Sequence, residues 1–132
     1  MYRKRTLVIA TTASLLIGFV AGGFCHALSA FYAMESNFRA RQSVIRAVTT
    51  YVQTEHNWPD SWEELGKHIP SESQLKWLQE IVHVTFANDL THVANYGPER
   101  YITAKGITLP AESLDGDIDA LRNAVKAALN RG

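Results

Sequence analysis

The sequence predicts an α+β protein: a long amino-terminal helix, transmembrane at first and continuing into the domain, packed on a small antiparallel sheet with short helices. Three observations predict it. An apolar run opens the chain. Helical periodicity continues from that run with no Pro or Gly from Phe31 to Thr54. Two β-branched stretches then lie between turn signals. With 132 residues, one compact domain is the most the chain holds once an anchor is set aside. The division reads as a basic tail over 1–5, a transmembrane helix over 6–31, and a small soluble α+β domain over 32–132.

The whole chain carries 13 Lys and Arg against 13 Asp and Glu. Arg3, Lys4 and Arg5 supply three of the positives, so the body beyond them is acidic by three charges. An acidic body lacks the basic face that nucleic acid requires, and no nucleic-acid partner is expected. Cys25 is the single cysteine, which excludes an intrachain disulfide and leaves the redox compartment open.

Between Arg5 and Glu35 the only residue that can carry a charge near neutral pH is His26. In hydrocarbon every backbone N–H and C=O must be paired internally, so such a run crosses as a helix. About 20 residues at ~1.5 Å each cross a core of ~30 Å. The best span is Leu7 to Ala27. A cleaved signal peptide is the rival reading, with Ala27-Leu28-Ser29 as the cleavage region. The apolar part exceeds the ~7–15 residues usual for such a segment, so an uncleaved single-pass anchor is expected. The tight Arg3-Lys4-Arg5 cluster keeps the amino terminus cytoplasmic and puts the domain outside. Membrane lipid is then the first expected partner. Ser14, Gly18 and Gly22 form a face of small residues spaced by four, where two helices can approach closely and the protein can self-associate or meet another protein.

Beyond the run, Met34, Phe38, Ile45, Val48 and Val52 recur at helical spacing, widened by Val44 and Tyr51. Arg39, Arg41, Arg46 and Gln53 fall off that stripe. The helix is expected to reach about Glu55. The next segment, HNWPDSWEEL over residues 56–65, reads as one helix stopping and another starting. Asn57 suits the left-handed geometry of a helix end. Pro59 cannot continue a helix. Asp60 with Glu63, or Ser61 with Glu64 one residue later, offers a capping box. Trp62 and Leu65 give the short helix its apolar side. A catalytic or metal reading would use Glu55, His56, Asp60, Glu63 or Glu64, but no recognised ligand spacing is present. No cofactor, metal or catalytic residue is assigned.

A hydrophobic amino-terminal helix that continues as an amphipathic one, followed by AVTTYVQTEHNWPDSWEEL, resembles type IV pilins and type II secretion pseudopilins. The resemblance covers about the first half of the chain. It implies a long helix carrying a small globular domain, and subunits that assemble through their helices. The chain departs from that family's start: Arg5 runs straight into Thr6-Leu7-Val8-Ile9, with no preceding glycine and no acid inside the run.

Ser71 is expected to cap a third helix bearing Leu75, Trp77 and Leu78. IVHVTFA, residues 81–87, alternates as a strand, with Val82, Val84 and Phe86 on one face. Asp89 caps a short helix that ends at Gly97. RYITAKGITL, residues 100–109, is expected to be the second strand, bent at Gly106. Ile118, Leu121, Val125 and Leu129 mark a carboxy-terminal helix. DGDID, residues 115–119, alternates acids like the start of a calcium loop. The twelfth position of that loop falls on Lys126 where a bidentate acid is needed, so the acids are assigned to the positive end of the helix instead. His83 and His92 read as packed or surface histidines. Taken together, the chain is expected to be a membrane-anchored, non-enzymatic contact domain. A subunit of a pilin-like or secretion assembly, and a small hydrolase or metal-binding enzyme around His56 and Glu63, are the alternatives.

Overall fold

The computed structural model describes residues 2–87, 89–106 and 114–131, with side chains described from Val20 onward. Five α-helices, a 3-10 turn and two short strands follow one another among them. Helix α1 covers Tyr2–Glu55, α2 Trp62–Gly66, α3 Glu72–Ile81, α4 Leu90–Tyr96 and α5 Asp115–Arg131; β1 is Val82–Val84 and β2 is Ile102–Ala104. The 3-10 turn, Pro98–Tyr101, leads directly into β2. The chain divides into two compact units, residues 1–33 and 34–132, with the boundary inside α1.

In the first unit the described side chains are exposed except that of Leu28, which is half-buried. Val20 is 66%, Phe24 67%, Phe31 54% and Tyr32 62% exposed. A Cβ on Gly22 would meet nothing within 4 Å. Ser14 and Gly18, and residues 7–19 of the expected membrane span, lie outside the described side chains. No helix of the described residues is long and apolar enough to cross a membrane.

The second unit has one apolar core. Along α1, Val44, Ile45, Val48 and Val52 are wholly buried, as the periodicity predicts, and Ala40, outside the expected stripe, is buried with them, whereas Met34 and Phe38 are half-buried. Ala47 and Thr49 join them, and Thr49 satisfies its hydroxyl by donating to the Ile45 carbonyl at 2.7 Å. Leu65 from α2, Leu78 from α3, Leu90 and Val93 from α4, and Ile118, Leu121, Ala124, Val125 and Ala128 from α5 complete the cluster with the sheet.

The two strands pair antiparallel, Val82 opposite Ala104, His83 opposite Thr103 and Val84 opposite Ile102. Val82, Val84 and Ile102 face the core, while His83 and Thr103 face solvent. Both strands are shorter than the sequence predicts. Ile81 belongs to α3, whose last turn runs straight into β1, and Arg100 and Tyr101 belong to the 3-10 turn. Gly97 followed by Pro98 starts a 3-10 turn that runs through Tyr101 and takes the first two residues of the expected strand, Arg100 and Tyr101. Residues 107–109 of the expected second strand lie outside the described residues, and Gly106 falls beyond the end of β2.

The α1–α2 junction departs from expectation by one residue. His56, not Asn57, holds the positive φ of 58°. Its N–H still bonds back to the Val52 carbonyl at 2.9 Å, so the left-handed residue directly follows the last turn. The cap of α2 is Ser61, whose Oγ accepts from the Glu64 N–H at 3.2 Å. Asp60 precedes the cap and is exposed, as is Glu63. The Glu64 carboxylate turns to Lys67, 3.1 Å away, rather than back to the cap, so the box is half made. Pro59 is buried beside Trp58.

Candidate functional site

The polar groups of the second unit converge around the α4–β2 turn, where four consecutive residues each have a task. Gly97, at φ 107°, takes a backbone conformation that other residues rarely adopt, and its N–H closes α4 on the Val93 carbonyl at 3.0 Å. Pro98 is buried at the first position of the 3-10 turn, where its missing N–H costs nothing. Glu99 reaches across to α5, and both Arg122 Nε and Nη2 donate to its carboxylate. Arg100 lays its guanidinium over the Tyr96 ring, 5.2 Å from the centroid.

Beneath this turn runs a file of aromatic rings. Tyr96 meets Tyr101 edge-on at 5.9 Å between centroids, and Tyr101 meets Trp58 at 5.6 Å. Trp58 is 2% exposed and donates its indole N–H to the Thr85 carbonyl at 3.0 Å. The outer end of the file is open, with Tyr96 60% exposed. Edge-to-face rings and a buried indole N–H with a partner are favourable arrangements for aromatic side chains. The turn that carries Glu99 and Arg100 therefore rests on packed rings anchored at Trp58.

Arg41 supports the same turn from α1. Its Nε donates to the Ile102 carbonyl at 2.8 Å and its Nη2 to the Glu99 carbonyl at 3.2 Å. Burial pulls its pKa down and the Glu99 charge opposes that pull. Glu99 itself is held below the usual carboxylate range, chiefly by the Arg122 hydrogen bonds, with burial opposing and Arg100 adding to the effect. Farther along, Asp117 accepts from Gln42 Nε2 and from Arg46 Nε, each at 3.0 Å. Burial alone would raise Asp117, and these two hydrogen bonds outweigh it.

Between α4, the turn and α5 lies an open pocket of about 280 Å³, lined by Asn95, Tyr96, Glu99, Arg100, Arg122 and Lys126 among others. Three of those side chains are cations and one is a carboxylate. Its floor includes Val125 of the apolar core. A second hollow of about 230 Å³ beside α1 is lined by Arg46, Thr50, His68 and Gln74 over Ala47 and Leu78.

Of the residues that a hydrolase reading would use, Glu55, Asp60 and Glu63 are exposed around the α1–α2 junction, and Glu64 is half-buried and paired with Lys67. His56 is exposed, with Nε2 3.2 Å from Arg131 Nη1 of the carboxy-terminal turn. Arginine only donates, so the imidazole accepts in this arrangement. Among the described residues no group of three or more His, Cys, Asp or Glu side chains could hold a metal ion. His83 and His92 are both exposed. The pocket itself escaped sequence reading. The signal for its turn was Gly97-Pro98 followed by two charged residues, a turn pattern, but the convergence with Arg122 and Lys126 depends on how α5 docks. Compared with models of known protein families, with curated proteins and with solved structures, the chain matches none.

Proposed function

We propose that the protein is a single-pass membrane-anchored contact domain, its amino terminus cytoplasmic and its second unit outside. The observation that carries this reading is the run from Thr6 to Met34, which lacks Lys, Arg, Asp and Glu altogether and follows directly on Arg3-Lys4-Arg5. The exposed Val20, Phe24, Phe31 and Tyr32 support it, because large apolar side chains left open on one helix call for an apolar surrounding. The second unit, with its packed aromatic rings and open polar pocket, is the part that meets a partner. Alkaline extraction of membranes from cells making the full chain tests the anchor. The protein should stay in the pellet, and removing residues 1–31 should release it. A full-length chain washed into the supernatant would overturn the reading. A carboxy-terminal reporter active only outside the cytoplasm tests the orientation.

A pilin-like subunit is the second reading. It is favoured by the continuity of α1, which runs unbroken from Tyr2 to Glu55. That reading requires crosslinked multimers in membranes and their loss in Gly18→Leu. A chain that stays monomeric on crosslinking removes it.

A further inference from the structure

We infer that the pocket between the Pro98–Tyr101 turn and α5 binds a phosphate group through Arg100 and Lys126. The argument begins with charge. The body of the chain is acidic, yet Arg100, Arg122 and Lys126 gather at one concave surface with Glu99 as its single carboxylate. Arg122 is matched by two carboxylates, Glu99 on its Nε and Nη2 and Asp119 at 4.0 Å from its Nη1, so it contributes no free charge. Among the described residues, Arg100 and Lys126 have no carboxylate within ion-pair distance. Two cations left over in one pocket suit a group of about −1.5 to −2 charge better than a carboxylate of one.

Geometry adds to charge. The Arg100 guanidinium is steadied over Tyr96, which is backed by Tyr101 and Trp58. A planar fork held in advance loses less freedom on binding. Arg41 holds the turn through the Glu99 backbone carbonyl and Arg122 takes the Glu99 carboxylate, which leaves Arg100 only a longer-range attraction to it. The volume of about 280 Å³ admits a phosphate with a small substituent resting on the exposed Tyr96 ring. The second hollow offers less. Its one cation, Arg46, is already paired with Asp117.

The phosphate can be that of a small soluble ester or of a lipid headgroup, and two arms separate the sources. In the first, inorganic phosphate is titrated into the full-length protein in nonionic detergent and followed by backbone amide shifts at Gly97 and Arg100. In the second, the protein sits in nanodiscs of phosphatidylcholine alone or with phosphatidylglycerol, without free phosphate. Saturable shifts in the first arm place the group on a soluble ligand. Shifts only with phosphatidylglycerol place it on a headgroup. Either result supports the site if Arg100→Gln and Lys126→Gln each weaken the response by about tenfold, the loss of one charge-assisted hydrogen bond. Lys76→Gln on α3 is the control and should change nothing. No saturable response in either arm, or a response retained in the Arg100→Gln/Lys126→Gln double variant with its fold verified by circular dichroism, overturns the inference.

Discussion

Arg41, in the last third of α1, donates from Nε to the backbone carbonyl of Ile102 in β2 at 2.8 Å, across 61 positions of sequence. The same guanidinium reaches the Glu99 carbonyl just before it. One side chain thus ties the long helix to the strand and to the turn that frames the pocket. Hydrogen bonds from a charged donor stabilise more than neutral ones, and carbonyls left without it lose that partner.

Arg41→Met should therefore lower stability by about 2–3 kcal/mol, even though the apolar stem is kept. Arg41→Lys should recover less than half of the loss, because an ammonium has no planar fork to span two carbonyls. Urea unfolding midpoints of the second unit measure both.

Acid should weaken the fold through Glu99 and Asp117. Both carboxyls are held below their ordinary values of 4.5 and 3.8. Lowered folded-state values mean that their contribution is full well above those ordinary values and is lost as pH falls through the folded-state values. Their arginine partners are 48% and 65% exposed, so solvent screening keeps each contribution modest. Glu99→Gln and Asp117→Asn should each flatten the decline in melting temperature between about pH 5 and pH 2.

The α2 cap separates two neighbouring residues that look alike in sequence. Ser61→Ala should cost about 1 kcal/mol, since Glu64 N–H loses its acceptor. Asp60→Ala should stay within about 0.5 kcal/mol, because that carboxylate lies outside the cap. Ser71→Ala, which removes the acceptor for Gln74 N–H in α3, is the positive control. Thermal melts of the three variants decide the comparison.

His56 holds a left-handed conformation at φ 58°. His56→Gly should raise stability by about 0.5–1 kcal/mol, as glycine adopts that geometry without a Cβ penalty. His56→Val should lower it by at least as much, since a β-branched residue is strained there. Denaturant midpoints read both. A stabilising valine would overturn the strain argument.

Much of the fold is legible residue by residue. Ile45, Val48 and Val52 announce the buried face of α1, and Ile118, Leu121 and Val125 that of α5. Ser71, Asp89 and Gly97 mark helix ends that the structure uses. The strands were harder. IVHVTFA has strand character throughout, yet the strand is Val82–Val84, extended by one backbone hydrogen bond at each end, Thr85 N–H to the Tyr101 carbonyl and Lys105 N–H to the Ile81 carbonyl. Tyr101 looked like strand and became turn, since Gly97-Pro98 had already set the local backbone.

What the sequence alone determined is what neighbours within a few positions decide: helix periodicity, caps, the end of α4 at Gly97, and the uncharged run from Thr6 to Met34. Those follow from local sterics and the backbone's need for partners. The tertiary structure alone decided that Arg41, off the apolar stripe, becomes half-buried beneath two carbonyls, and that Arg100 and Lys126 share a pocket. Such meetings depend on how whole helices dock. Docking is governed by the summed burial of a core drawn from every element of the second unit, and no short stretch encodes that sum.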